Sequence, residues 1–314
     1  MKGTCLVRWT FLVFVCAGSL AAQAPQINAV LNGASFDQSA QAPPVAPGSI
    51  VSIFGLRLAG TATATVSMSA SSPNIPLQTS LGGGATGLSQ VSVSFDGVAA
   101  PLFAVIRTPE FDQINAQIPW NTVVTDGRVQ VVVTRDGQAG PAVEFPAADA
   151  SPGIFTLQFG PGPAIVTNVA FAGGPAVVNG SFAQPPGTVC AGPGNPSGCA
   201  AADEPAPVGG AVTIWSNGLG PVDVPVASGN IPTTVGPGGF VAAVKPVRVF
   251  IGGVQAQVIG AALHSQFVAL NQVNVIVPNV PPGHAVPVQI EMDLSPGGTV
   301  RSRGDATMAV RAAP

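Results

Sequence analysis

Residues 91–95 alternate: Val91, Val93 and Phe95 are apolar, while Ser92 and Ser94 are polar. A period of two places the apolar set on one face of a β-strand and the polar set on the other. Asp96-Gly97 follows, a dipeptide that accepts the positive φ angles of a tight hairpin, and Val98 opens the return strand. The pattern recurs along the chain. "QINAQIP" sets Ile114, Ala116 and Ile118 against Asn115 and Gln117, and Pro119 then ends the strand because it cannot donate to a continuing ladder. "RVQVVVT" (128–134) alternates and is closed by Asp136-Gly137; "HAVPVQIEM" alternates Val286, Val288 and Ile290. Short runs of this kind, at roughly ten-residue spacing with Gly and Pro between them, predict an all-β chain built as antiparallel immunoglobulin-like sandwiches.

The strands come in two sets. Val51-Ser52-Ile53-Phe54 matches Val212-Thr213-Ile214-Trp215. "VSVSFDGVAAPL" (91–102) matches "VRVFIGGVQAQV" (247–258), with Gly252-Gly253 in place of the Asp-Gly turn. Gln113-Ile114-Asn115 matches Gln272-Val273-Asn274, and both copies end in proline, Pro119 and Pro278. Three blocks in one order predict two tandem immunoglobulin-like domains, residues 25–150 and 207–314. Between them, residues 151–206 read as a loop-rich connecting segment with a few short strands. The repeated Gln113, Asn115, Gln272 and Asn274 are read as structural signatures that hydrogen-bond adjacent loops at a sheet edge. Twin ligand contacts are the alternative.

Composition narrows the functional classes. Apolar residues make up 46% of the 314, enough for real cores, but charged residues only 8%, against about 25% in typical soluble domains. The net charge is −3, and Lys245 is the only lysine beyond the first residues. No basic stripe exists to hold nucleic acid or an anionic membrane surface. Residues 1–24 read as a secretory leader: Lys2 and Arg8, an apolar run, then small residues allowing a cut after Ala21 or Ala24. Cys16 is preceded by Val15 rather than by the small residue of a lipid-modification site. The leader's apolar run is too short for a comfortable membrane span, and no later stretch has the ~18 apolar residues of a spanning helix. Removal of the leader leaves Cys190 and Cys199, in "CAGPGNPSGC", as an expected disulfide closing a small loop.

Candidate chemistry is sparse. The histidines are His264 and His284, and no G-x-S-x-G elbow occurs. The neighbouring carboxylates are Glu110/Asp112, Asp203/Glu204 and Glu291/Asp293, which read as solvated surface rather than as a glycosidase pair. The Asp-Gly pairs fit hairpins better than calcium ligands. Arg303-Gly304-Asp305 reads as a turn, and "LGGGATG" (81–87) lacks the lysine of a phosphate loop. The expectation is no cofactor, no metal and no catalytic residue. Contact would be made by polar and aromatic groups such as Trp120, Trp215 and Phe240, with Trp215 preferred as a core residue.

The chain also resembles a known family, the C-terminal domain described from Solibacter and other acidobacteria at the end of large secreted proteins. The match rests on "INAVLNGASF" (27–36), "VAPGSIVSIFGLRLA" (45–59), "VSFDGVAAPLF" (93–103), "QINAQIPW" (113–120), "SPGIF" (151–155), "NGLGPV" (217–222) and "LNQVNVIVP" (270–278). The resemblance implies paired immunoglobulin-like domains and transfers no catalytic residue. Together these readings point to a secreted binding or adhesion module for an extracellular protein or polysaccharide. A structural envelope component and a carbohydrate-active hydrolase are the alternatives.

Overall fold

The computed structural model describes residues 23–39, 44–60, 64–65, 75–83, 88–170, 177–190 and 201–314. Among these residues the chain is all-β, with no helix, and nearly every strand pairing is antiparallel. Most of the leader and Cys199 lie outside the described residues; Cys190 is fully buried.

The first unit has two sheets. One has the order β1–β2–β5–β4, where β1 is Gln26–Asn32, β2 Ile50–Leu56, β4 Leu102–Arg107 and β5 Asp112–Gln117. The facing sheet pairs β3 (Val91–Phe95) with β6 (Arg128–Arg135), and β6 with β7 (Val143–Pro146). Their inward side chains form one core containing Ile53, Val93, Phe95, Ile114, Ala116, Val131 and Val133. The alternation read from sequence is therefore the core-facing set. Asp96-Gly97, Asp126-Gly127 and Asp136-Gly137 all have positive φ, as tight turns require.

The second unit draws on the connecting segment. β8 (Val166–Ala170) pairs with β9 (Val177–Phe182) and also with β10 (Ala211–Asn217). Then come β11 (Val247–Ile251), β12 (Val254–Leu263), β13 (Asn271–Ile276), β14 (Gly283–Asp293), β15 (Thr299–Arg301) and β16 (Ala306–Arg311). They form one continuous path, β16–β14–β11–β12–β13–β10–β8–β9. Ile154, Ala164, Val166 and Ala183, all within 151–206, sit in the second core with Ile214, Val273, Val275, Val288 and Ile290. So this segment completes the second sandwich rather than merely linking two.

One difference between the copies has a local cause. In the second, β12 runs unbroken, pairing through Ala256 with β11 and from Gln257 onward with β13, a ladder interrupted by a bulge between Val258 and Gly260. It thereby turns a corner between layers, as sandwich strands do. In the first, the matching stretch is cut into Val98–Ala99 and β4, because Pro101 stands where the second copy has Gln257 and offers no N–H to the ladder.

A buried polar junction joins the units. The Asn217 side chain pairs with the Ile50 backbone: Ile50 N–H donates to Oδ1 at 2.8 Å, and Nδ2 donates to the Ile50 carbonyl at 2.7 Å. Asn32 Nδ2 donates to the Ser151 carbonyl at 2.7 Å, while its Oδ1 accepts from Ala34 N–H. Gly218, at φ +81°, passes so close that a Cβ there would lie 2.0 Å from the Ser151 carbonyl oxygen. Gln117, expected on the polar face of its strand, is instead fully buried here and accepts from Gly229 N–H at 2.6 Å. An apolar cluster of Ile50, Leu77, Phe103, Val268 and Ala269 seals the contact. Trp120 lies at the same boundary, its ring over Gly48 and its backbone N–H donating to Ser228 Oγ at 2.9 Å.

A candidate binding face on the second sheet

The twice-written Gln-x-Asn motif lands in the middle of each sheet, not at an edge. In the first copy β5 lies between β2 and β4; in the second β13 lies between β10 and β12. Ile114 and Val273 point into the cores, so Gln113, Asn115, Gln272 and Asn274 project from the opposite face. There each asparagine meets a hydroxyl from the neighbouring strand rather than a loop. Ser52 Oγ donates to Asn115 Oδ1 at 2.8 Å, and Thr213 Oγ1 donates to Asn274 Oδ1 at 2.7 Å. The register explains both contacts, since Ser52 stands opposite Asn115 and Thr213 opposite Asn274.

The copies then diverge. Gln113 Nε2 donates to Asn115 Oδ1 at 2.7 Å, so the first copy's two amides bond each other. Among the described residues neither Gln272 nor the Asn274 Nδ2 has an intramolecular partner, and both side chains line open depressions. One, of about 190 Å³, adds Phe240, Val235, Leu263, His264 and Ser265. The adjoining one, of about 130 Å³, adds Ile259, Gly260, Ala261 and Ala262. Phe240 and Gln272 border both. The space exists because β12 presents small residues to this face: Gly260 stands opposite Asn274 and Ala262 opposite Gln272. A Cβ on Gly260 would touch nothing within 4 Å.

Trp215 forms the back of this face. It stands opposite Gln272, and its Nε1 donates to Thr167 Oγ1 at 3.2 Å. It is therefore half-buried on the outward side and not a residue of the apolar core, contrary to the sequence reading. Its ring meets His264 edge-on at 5.2 Å, and His264 meets Phe267 at 5.1 Å. Burial among these rings lowers the His264 pKa below its ordinary value. Its Nδ1 accepts from Gln266 N–H at 3.1 Å, a role open only to the neutral tautomer with the proton on Nε2. Phe240 is 43% exposed and Ile259 53%, so the groove has an apolar rim beside its two amides.

The remaining candidates have other partners. Asp112 is buried and accepts from Ala59 N–H at 3.0 Å, while Glu110 is exposed. Asp203 accepts from the N–H groups of Val189 and Cys190, and Glu204 pairs with Arg311. Glu291 lies between Arg248 and Arg301, and Asp293 pairs with Arg248. The Arg248 hydrogen bond, more than any other contact, holds the Glu291 and Asp293 carboxyls below their ordinary range. Arg303 and Asp305 bond each other across the turn at Gly304, at 2.7 and 2.8 Å, as the turn reading of this tripeptide expects. His284 is exposed at the start of β14. Among the described residues no group of three His, Cys, Asp or Glu could hold a metal ion, and no helix is long and apolar enough to cross a membrane.

Comparison with known families returns no matching family profile, and no curated protein matches the chain. Among solved structures, the Streptococcus agalactiae AgI/II polypeptide BspA C-terminal domain aligns at 11% identity over 90% of this chain and 98% of that one. The TM-score of 0.17 is too low for that alignment to carry an argument about fold or function.

Proposed function

We propose that the protein is an extracellular or cell-surface binding module that acts without catalysis and engages its partner through the β10–β13–β12 face. The observation that carries this reading is that the Gln272 amide and the Asn274 Nδ2, neither with an intramolecular partner among the described residues, face an open groove beside an exposed phenylalanine. Ligand sites combine an apolar surface with a few placed polar groups in this way. The leader-like N-terminus and the resemblance to C-terminal modules of secreted acidobacterial proteins support a site of action outside the cytoplasm. The engagement of Asp112, Asp203, Glu204, Glu291 and Asp293 in structural contacts supports the absence of catalysis. The test is capture from native cell-envelope fractions by the immobilised protein, beside a Gly260→Val variant that fills the groove. Saturable capture by the wild type, lost in the variant, supports the reading. Absence of saturable capture by a folded wild-type protein overturns it.

A further inference from the structure

Resting on that reading, we propose that the groove takes a neutral, hydroxyl-rich ligand, a saccharide chain, and that the first copy of the motif does not. Three observations fix the ligand class.

The first is charge. No ionised side chain lines either depression. The one titratable group there, His264, is committed to its neutral form by the bond its Nδ1 accepts. A charged ligand would lose water on entry and meet no counter-charge, a costly exchange. A neutral ligand loses nothing of that kind.

The second is the pairing chemistry. Each amide presents both a donor and an acceptor. Asn274 Oδ1 is occupied by Thr213, which leaves its Nδ2 to donate, while Gln272 keeps both functions open. Adjacent hydroxyls, which donate and accept in turn, match this set. A purely apolar ligand would bury the amides without partners, leaving each with its full desolvation penalty. Phe240 and Ile259 supply apolar surface for the C–H faces of a sugar ring.

The third concerns backbone access. An extended peptide gains affinity by adding a strand to a free sheet edge. Here the groove lies over β10, β13 and β12, and β13 is already paired on both sides. β13 therefore offers no free edge to an added strand, so recognition rests chiefly on side chains, which suits a sugar better than a peptide.

The first copy lacks the same opening. Gln113 and Asn115 bond each other, and Ile106 stands where Ala262 stands in the second copy, opposite the glutamine. One motif is thus closed and the other open.

The experiment is calorimetric titration of the purified protein with neutral hexasaccharides (β-1,4-glucan, β-1,4-xylan, α-1,4-glucan), with an oligogalacturonate as the acidic probe. Gln272→Ala, Phe240→Ala and Gly260→Val are the groove variants; Gln113→Ala is the control. The proposal expects binding of at least one neutral chain, weakened tenfold or more by each groove variant and less than twofold by Gln113→Ala. It is overturned if the acidic chain binds and the neutral ones do not, or if Gln113→Ala matters as much as Gln272→Ala. It is also overturned if no saccharide binds while envelope protein is still captured, a result that leaves the binding-module reading standing. Retained melting temperature in Gly260→Val separates a filled groove from a misfolded chain.

Discussion

Replacing Asn217 by alanine tests whether the two sandwiches behave as one body. Asn217 is fully buried, and its amide makes two short hydrogen bonds to the backbone of Ile50 across the junction. The Ile50 carbonyl keeps a second donor, Gly33 N–H at 2.9 Å, and Asn32 Oδ1 keeps Ala34 N–H. The Ile50 N–H keeps nothing. Orphaning a buried donor costs about 1–3 kcal/mol, and loss of the second bond adds about 1 kcal/mol. The expected destabilisation is about 3 kcal/mol, concentrated at the contact between units. Trp9 lies in the leader, Trp120 in the first unit and Trp215 in the second, so in the chain from residue 25 onward Trp215→Phe and Trp120→Phe backgrounds report each unit separately by fluorescence. In urea the wild-type transitions should coincide. With Asn217→Ala the midpoint should fall by about 1 M or more, given slopes of about 1–3 kcal/mol/M, and the two transitions should separate. A loss below about 0.5 kcal/mol, the range of an ordinary surface substitution, refutes the reasoning.

Other expectations follow from the same geometry. Gly218→Ala forces a side chain into positive φ with its Cβ 2.0 Å from the Ser151 carbonyl oxygen, so it should cost about 2 kcal/mol or more in urea unfolding, whereas Gly260→Ala should cost less than about 1 kcal/mol. Glu291 is held ionised chiefly by Arg248, so its folded pKa lies below the ordinary 4.5. Its contribution is complete above that value and lost as pH falls through the depressed one, and Glu291→Gln should flatten the acid limb of a pH–stability curve. For His264 burial lowers the folded pKa below 6.5, so the unfolded chain binds the proton first and stability declines as pH falls below 6.5. His264→Phe should remove that decline in melting temperature measured between pH 7.5 and 5.5.

The fold was readable wherever alternation was strict. Val91–Phe95, Ile114–Ile118 and Val286–Ile290 bury the residues their period selects, and Asp96-Gly97 turns as its chemistry dictates. The junction was not readable. Gln117 is polar and in strand phase with Asn115, so periodicity places it outward; only the second unit's Gly229 makes it an interior residue. Several motifs that carry the family resemblance meet at this place: Asn32 of "INAVLNGASF", Ile50 of "VAPGSIVSIFGLRLA", Ser151 of "SPGIF" and Asn217 of "NGLGPV". They could be quoted from the sequence but not placed, because their partners lie 119–185 positions away. The groove was half legible. The repeat pointed to Gln272 and Asn274, and the scarcity of charge pointed to Phe240. The distinction between the copies depends on Gly260 and Ala262 standing across from them, a matter of strand register that a bulge shifts by one residue. Trp215 was misplaced because a tryptophan beside Ile214 reads as core, although the period of two puts it on the other face.

The most direct test of the account is amide hydrogen exchange on the purified protein with and without its captured envelope ligand. The account predicts added protection in Leu263–Gln272 and around Phe240, with Gln113–Gln117 unchanged. Protection confined to the first unit, or none in the loop between β12 and β13, would contradict it.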